Sequence, residues 1–210
     1  MHRIVFATNN QGKMREVRQL FPPEIEVLSL SDIGCLEELP ETGATLAENS
    51  LQKARYIFDK YGCPCFADDT GLEVDALGGR PGVYSARYAG SHAHPADNIA
   101  KLLYELKGEH HRKARFRTVI TVVGLTNANQ FKPSCDIFEG EVSGVIAEST
   151  SGEAGFGYDP VFIPTGENRT FSELTPEEKN RISHRGKAVR KLTGWLNDLI
   201  SPGASAQQPG

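Results

Sequence analysis

The chain has 210 residues, which is enough for one large domain with a sizeable core. Hydrophobic residues make up 39% of it and charged residues 24%, the proportions of an ordinary globular protein. The formal net charge of −4 excludes a global basic field for a nucleic-acid backbone, so an anionic substrate requires a local cluster of basic residues.

The sequence offers no obvious targeting or membrane segment. The N-terminal stretch 2–7 is too short for a signal peptide, and no apolar run approaches the about 20 residues that cross a bilayer. Cys63 and Cys65 are separated by one residue, whereas zinc and redox motifs usually have two between them. With Cys35 and Cys135 they are interpreted as reduced structural thiols. We therefore predict a cytoplasmic protein with neither a membrane nor a nucleic-acid partner.

Short strands alternate with helices in the first half of the chain. A Thr45-Leu46-Ala47-Glu48 capping box starts a helix that is predicted to reach about Tyr61 and stop at Gly62. Pro22-Pro23 ends an earlier helix, which begins after Gly12. The predicted strands of this half cover 3–7, 24–30 and 64–67.

The second half continues this mixture. Strands are predicted at 116–125, 138–147 and 161–163, and helices at 96–107, after the N-cap Thr175 and through Val189–Leu199. The Ser/Pro/Gly/Gln-rich tail Ser201–Gly210 is predicted to be disordered, which leaves 1–200 as a single domain. The pattern indicates an α/β or α+β fold without giving the strand order.

A polar segment joins the first strand to the first helix. It reads Thr8-Asn9-Asn10-Gln11-Gly12-Lys13. Free backbone N–H groups and the helix dipole favour anions at a helix start, and Lys13 adds a full positive charge. The spacing of a Walker P-loop is missing. A phosphate site and a plain strand-to-helix turn are both open.

Two adjacent carboxylates follow the apolar strand 64–67, in Asp68-Asp69-Thr70-Gly71. Paired carboxylates there are costly unless they meet water, a partner or a metal, and oxygen ligands suit Mg²⁺. The alternative is an Asx-turn, but two acids and a glycine exceed what a turn needs. Glu41 offers a further carboxylate in a loop, where by itself it is more typical of a solvated charge.

Two later segments carry other candidate groups. In Gly155-Phe156-Gly157-Tyr158-Asp159-Pro160 the glycines permit close approach of a ligand, and Phe156 can stack on a base or belong to the core. Lys179 lies in a short capped helix, and Ser183-His184-Arg185-Gly186 is placed just before the last helix. A His-Arg pair is usually a surface feature, but near a helix start it can donate to a carbonyl or a phosphate.

Together and in this order, these segments resemble the inosine triphosphate pyrophosphatase family, the pyrophosphatases of non-canonical purine nucleoside triphosphates. The similarity runs from about Arg3 to Leu199. It includes Glu41-Thr42-Gly43, Glu48-Asn49-Ser50, Lys53-Ala54 and Gly79-Arg80-Pro81-Gly82-Val83-Tyr84-Ser85-Ala86-Arg87. The chain departs at Asn9, where many relatives carry glycine, and at Thr70, where many carry serine; neither change removes a needed functional group.

The resemblance implies an elongated α/β fold with a long mixed central sheet flanked by helices, two lobes and a nucleotide cleft between them. It also implies a homodimer, a Mg²⁺ cofactor, and hydrolysis of ITP, dITP and XTP to the monophosphate and pyrophosphate. Asp69 is the implied general base, and Glu41, Asp68 and Asp69 the implied metal-binding residues. Phe156 would stack on the base. The implied substrate-binding set is Thr8, Asn9, Asn10, Gln11, Gly12, Lys13, Lys53, Thr70, Phe156, Gly157, Tyr158, Asp159, Lys179, His184 and Arg185.

Two other functions compete with this interpretation. A nucleotide-binding protein without turnover is expected to have lost the acids at Glu41 and Asp69, and both are present. A house-cleaning pyrophosphatase of other modified nucleotides, of the Maf-like group, opens with a Ser-x-Ser-Pro-Arg-Arg-type loop that this chain lacks. The residue chemistry agrees with the first hypothesis, since a chain of net charge −4 must concentrate Lys13, Lys53, Lys179 and Arg185 locally to hold a triphosphate.

Overall fold

The structure is a computed structural model that describes residues 2–125 and 135–200; the predicted disordered tail 201–210 lies outside them. The strands are β1 (His2–Phe6), β2 (Ile25–Leu28), β3 (Cys65–Val74), β4 (Pro81–Gly82), β5 (Lys113–Val123), β6 (Cys135–Ile146) and β7 (Phe162–Pro164). The helices are α1 (Gln11–Leu20), α2 (Leu46–Tyr61), α3 (Pro95–Glu105), α4 (Pro176–Ile182) and α5 (His184–Ile200).

All of these strands belong to one mixed sheet in the order β2-β1-β3-β5-β6-β7, and β4 pairs with the far end of β3. Strand β1 runs parallel to β2 and β3. The long strands β3, β5 and β6 pair antiparallel, with Cys65 opposite Val123 at one end of the β3–β5 ladder and Val74 opposite Ala114 at the other. The predicted α/β fold with a long mixed central sheet is confirmed.

Buried side chains divide the molecule into two lobes. In the first lobe, one apolar cluster lies under α1 and α5 and contains Phe66 and Leu192. A second cluster covers the opposite sheet face under α2 and contains Ile57. The second lobe is built on a third cluster around the far halves of β3, β5 and β6, which contains Leu72 and Leu102. Strands β3 and β5 run through both lobes and fix one against the other.

Helix α2 begins and ends where the sequence predicts. The Thr45 hydroxyl accepts a hydrogen bond from the Glu48 backbone N–H, the Glu48 carboxylate accepts one from Thr45, and Gly62 ends the helix at φ 65°. This cap positions Asn49 and Lys53 on the helix face that is buried against β3. Among the described residues, no helix is both long enough and apolar enough to span a bilayer.

Strand β3 corrects one prediction. The sequence predicts a strand that ends at Ala67, but the backbone stays extended to Val74 because each residue of β3 pairs with β5. The Asx-turn alternative is therefore wrong. The prediction that His184 and Arg185 precede the last helix is wrong as well, because α5 begins at His184 and places both residues in its first turn.

Candidate active site

A cleft of about 590 Å³ lies between the two lobes. It is lined by most of the residues that the sequence singles out: Thr8, Asn9, Asn10, Lys13, Glu41, Lys53, Asp69, Thr70, Phe156, Gly157, Tyr158, Asp159, Lys179, His184 and Arg185. The lining does not include Gln11, Gly12 or Asp68. Segments that lie far apart in the sequence therefore converge on one cleft, while the roles of these residues stay a prediction.

The start of α1 forms one wall of the cleft. Asn10 is the N-cap, and its side-chain oxygen accepts a hydrogen bond from the Lys13 backbone N–H at 3.0 Å. Gln11 and Gly12 are the first two residues of the helix. A Cβ added to Gly12 would lie 2.7 Å from the Phe156 ring, so glycine permits this ring to pack directly on the helix start. The backbone N–H groups of this first turn favour an anion nearby.

The two adjacent aspartates project from opposite faces of β3, because side chains alternate along a strand. On the α1 and α5 side, Asp68 accepts hydrogen bonds from Lys13 Nζ at 2.8 Å and Arg185 Nε at 3.1 Å. Burial alone would raise the pKa of the Asp68 carboxyl, but these two cations outweigh burial and hold the pKa well below its usual range. Asp68 is therefore a permanently ionised partner that orients two cations.

Asp69 lies on the α2 side in a different environment. Its Oδ2 accepts a hydrogen bond from Asn49 Nδ2 at 3.0 Å, and Lys53 Nζ lies 3.7 Å from its Oδ1. Burial raises the pKa of Asp69 above its ordinary value, although Lys53 and Lys13 oppose this effect. Neighbouring carboxyl groups with pKa values moved in opposite directions mark separate roles. Asp69, with the raised pKa, is the better proton acceptor of the two.

Glu41 reaches the same part of the cleft from the loop before α2. Its Oε1 accepts a hydrogen bond from Lys53 Nζ at 2.5 Å, so Lys53 lies between the carboxylates of Glu41 and Asp69. Among residues 2–125 and 135–200, no group of three or more His, Cys, Asp or Glu side chains is arranged to hold a metal ion. Glu41 and Asp69 provide two carboxylates, which is the number that Mg²⁺ commonly takes from a protein when phosphates supply other ligands.

The other end of the cleft combines an aromatic ring with buried charges. Lys179 Nζ lies 4.9 Å from the centre of the Phe156 ring and donates hydrogen bonds to Asp159 and Glu16, both at 2.6 Å. Asp159 also accepts a hydrogen bond from the Phe156 backbone N–H at 2.8 Å. Arg185 completes the network with a 2.5 Å hydrogen bond to Glu16. The Phe156 ring therefore packs on a network of buried charged side chains and does not lie in the hydrophobic core.

His184 is almost fully buried at the floor of this end. Its ring stacks on Phe116, with 4.6 Å between the ring centres. Burial, together with the nearby charges of Arg185 and Lys179, lowers the pKa of the imidazole well below its ordinary value, so the ring is neutral at pH 7. Its Nδ1 is buried and has no hydrogen-bond partner among the described residues. A buried nitrogen of this kind needs a hydrogen-bond partner, which a bound ligand or an ordered water can supply.

Sequence reasoning missed three contributors to this site. Glu16 pairs with both Lys179 and Arg185 across more than 160 residues of sequence, and its position three residues after Lys13 on one helix face was the available signal. Asn49 holds Asp69, although the sequence shows it only as part of the motif Glu48-Asn49-Ser50. Phe116 looked like an ordinary strand residue, yet it lines the cleft.

Comparison with known proteins agrees with this geometry. A match to the Ham1 family covers residues 4–195. The chain is 50% identical over 195 residues to the dITP/XTP pyrophosphatase of Christiangramia forsetii, covering 93% of this chain and 99% of that protein. It is 45% identical over 199 residues to the protein of the same name in Bacillus subtilis, covering 93% and 98%.

Solved structures give the same result. The Ham1 protein of Staphylococcus aureus superposes with a TM-score of 0.81 at 39% identity, over 93% of this chain and 98% of that chain. A nucleoside-triphosphatase, named dITP/XTP pyrophosphatase, from Mycobacterium abscessus superposes with a TM-score of 0.70 at 42% identity, over 90% and 98%. The resemblance stated from the motifs is confirmed, and the chain belongs to the Ham1 family.

Proposed function

We propose that this protein hydrolyses ITP, dITP and XTP to the nucleoside monophosphate and pyrophosphate, and so removes non-canonical purine nucleotides from the cytoplasmic pool. The observation that carries this proposal is the division of the cleft. One end holds the carboxylates of Glu41 and Asp69 with the ammonium group of Lys53 between them. The other end holds the Phe156 ring and the buried imidazole of His184. A nucleotide that spans the cleft places its phosphates at the first end and its base at the second.

Asp69 is the proposed general base. A base must accept a proton at neutral pH, and the raised pKa of Asp69 makes it a stronger acceptor than an ordinary aspartate. Asn49 fixes one carboxylate oxygen, so the direction of the other is set. Asp68 is excluded from this role because its oxygens accept hydrogen bonds from Lys13 and Arg185. Asp69 takes a proton from a water molecule, whose oxygen attacks the α-phosphorus. The bond between the α-phosphorus and the oxygen that bridges it to the β-phosphorus breaks, and pyrophosphate leaves.

Glu41 and Asp69 are the residues that we propose to hold Mg²⁺. Bound there, Mg²⁺ would neutralise phosphate charge and lower the pKa of water. Asp68 faces the opposite side of β3, so we assign it to Lys13 and Arg185 and not to the metal. Glu41→Gln is expected to raise the Mg²⁺ concentration required for half-maximal binding, measured by titration calorimetry with a non-hydrolysable triphosphate.

Selection of the base is assigned to donors beside Phe156. An ammonium group has three N–H donors, and Lys179 uses two of them for Glu16 and Asp159. We propose that the third binds the oxygen at position 6 of hypoxanthine or xanthine. Adenine carries an amino group at that position, so an N–H donor of Lys179 would face an N–H donor of the base. Sites built on such hydrogen bonds can reject the wrong partner by about 10⁴-fold.

The test is a panel of nucleotides at fixed Mg²⁺, with orthophosphate and pyrophosphate measured separately. We expect ITP, dITP and XTP to yield pyrophosphate and the monophosphate, and ATP to react far more slowly. Asp69→Asn serves as the matched control, because it retains the shape of the side chain. Release of orthophosphate as the first product would exclude the proposed reaction. Binding of ITP without any turnover would favour a nucleotide-binding protein.

A further inference from the structure

The segment from Gly79 to Arg87 is one of the motifs that resemble the family, and the proposed mechanism assigns it no role. It forms a turn in the second lobe that is tied to its surroundings at Ser85. The Ser85 hydroxyl accepts a hydrogen bond from the Leu72 backbone N–H at 2.8 Å and donates one to the Gly82 carbonyl at 2.6 Å. The Tyr158 hydroxyl donates to the Ser85 carbonyl at 3.0 Å. The position of Arg87, two residues later, is therefore fixed at its backbone.

The Arg87 side chain extends from this turn of the second lobe to Glu41, in the loop before α2. Its Nη1 lies 3.6 Å from Glu41 Oε2, and its Nη2 donates to the Glu41 backbone carbonyl at 3.4 Å. The guanidinium group also lies over the Tyr84 ring, 5.2 Å from its centre. The other carboxylate oxygen of Glu41 is bonded to Lys53. Arg87 is not itself one of the residues that line the cleft, but it contacts Glu41, which lines the phosphate end.

The ion pair of Arg87 is longer and more exposed than the ion pairs of the other cations near the site. Lys13, Lys53, Lys179 and Arg185 each lie within 3.1 Å of a carboxylate oxygen, and their side chains are at most 14% exposed. Arg87 is 29% exposed, and the nearest carboxylate oxygen is 3.6 Å away. A long, partly exposed ion pair of this kind contributes little to stability. Arg87 is therefore the cation that can leave its partner at the lowest cost.

We propose that Arg87 moves from Glu41 to the pyrophosphate end of the bound nucleotide and binds the leaving group from the second lobe. This inference rests on the proposed function. The planar guanidinium group suits phosphate oxygens, to which it can donate two parallel hydrogen bonds. A triphosphate brings several negative charges into a cleft whose other cations are already paired with carboxylates. Arg87 can pair with that negative charge, and its move breaks only a long, partly exposed ion pair.

The experiment measures the binding of each product separately. Titration calorimetry with pyrophosphate and with IMP, both at fixed Mg²⁺, is carried out on the unchanged protein, Arg87→Gln, Arg87→Lys and Arg115→Gln. Arg115 lies on the outer face of β5, paired with Glu73, so its loss matches the charge change away from the cleft. We expect Arg87→Gln to bind pyrophosphate about 10- to 100-fold more weakly and IMP equally well. Arg87→Lys should lie in between, and Arg115→Gln should resemble the unchanged protein.

Equal pyrophosphate affinity in Arg87→Gln and the unchanged protein would overturn the inference. So would an equal loss for IMP and pyrophosphate, because that result would show that the substitution deforms the whole cleft. Pyrophosphate release from ITP by the unchanged protein, measured in parallel, separates the two proposals. If that release is absent, the proposed function fails; if it is present while Arg87→Gln binds pyrophosphate normally, only the role of Arg87 fails. Arg87→Lys preserves the charge and provides the second variant should Arg87→Gln unfold.

Discussion

At the scale of single residues, the site depends on how each carboxylate is surrounded. Asp68 and Asp69 are neighbours in sequence, yet one is enclosed by Lys13 and Arg185 and the other by Asn49 and Lys53. The same functional group is therefore a fixed counter-ion at one position and the proposed proton acceptor at the next. The two residues should respond differently to the same substitution.

Asp69→Asn is expected to abolish turnover while the fold is retained. The amide keeps an oxygen for Asn49 but removes basicity and negative charge. A general base typically contributes about 10²- to 10⁴-fold to the rate. Initial rates of pyrophosphate release from ITP measure the loss, and a thermal melt confirms folding. Asp68→Asn is the matched comparison: it should lower the melting temperature, because it leaves two buried cations without their carboxylate. A near-native rate for Asp69→Asn would exclude it as the base.

The acid side of the pH profile follows from the same residue. Asp69 acts as a base only when it is ionised, so activity must rise as the pH rises through its pKa. In the metal-free protein, burial raises that pKa above its ordinary value. Since kcat/KM reports the ionisation of the free enzyme, its acid limb should lie at a higher pH than an exposed aspartate would give when Mg²⁺ enters only with the nucleotide. The pH dependence of kcat/KM for ITP is the measurement. An acid limb at the position of an unperturbed aspartate would contradict the assignment.

Base selection can be tested at His184 with little disturbance. His184→Phe keeps the stack on Phe116 and removes both ring nitrogens. If a nitrogen of His184 contacts the base, kcat/KM for ITP should fall about 10- to 100-fold, and kcat/KM for ATP should fall much less. Equal losses would show that the residue serves only packing. Arg185 is the less suitable residue to replace, because its guanidinium group pairs with Asp68 and Glu16.

At the scale of elements, the base end depends on how closely α5 lies on the sheet. A Cβ added to Gly140 of β6 would overlap the His184 carbonyl oxygen and lie 2.6 Å from the Ala188 backbone nitrogen. Both contacts involve the backbone at the helix start, which cannot rotate out of the way. Because Gly140 has no side chain, the first turn of α5, which carries His184 and Arg185, can pack directly on β6.

Gly140→Ala is expected to destabilise the protein by about 1–3 kcal/mol or more, the usual cost of overpacking. It should also reduce activity on ITP by displacing the first turn of α5. Gly194→Ala, in α5 itself, is the control for a glycine-to-alanine change without overpacking, since a Cβ there meets nothing within 4 Å. That control should stabilise the protein by about 0.5–1 kcal/mol. The free energy of unfolding of both variants is measured by urea denaturation. Equal values for the two variants would contradict the predicted overpacking at Gly140.

Features that depend on local contacts could be predicted from the sequence. Features that depend on contacts between distant residues could not. The caps at Thr45 and Thr175 are local, so the starts of α2 and α4 were correctly predicted. The extension of β3 was not, because Asp68 and Asp69 look like a break until their partners are known. Those partners, among them Arg185, lie up to 117 residues away in sequence. The role of Glu16 depends on contacts of the same long range.

At the scale of the whole molecule, the homodimer implied by the family resemblance stays a prediction. Light scattering coupled to size-exclusion chromatography should give twice the mass of the chain. A mass equal to one chain across a wide concentration range would contradict it. The cleft itself uses residues of both lobes of a single chain. A monomeric protein is therefore expected to bind nucleotide still, which a calorimetric titration at low protein concentration would reveal.

The ladder between β3 and β5 has a consequence for how this chain tolerates insertion. Asp68 lies opposite Ile120 and Asp69 opposite Val119. Because side chains alternate, a slip of one residue would turn every side chain of β3 to the other face of the sheet. The proton acceptor would then meet the cations of α1 and α5, and the counter-ion would enter the cleft. A single extra residue that shifted this register would thus separate both aspartates from their hydrogen-bond partners and turn the apolar side chains of β3 to the opposite face, so we expect an insertion here to abolish the site.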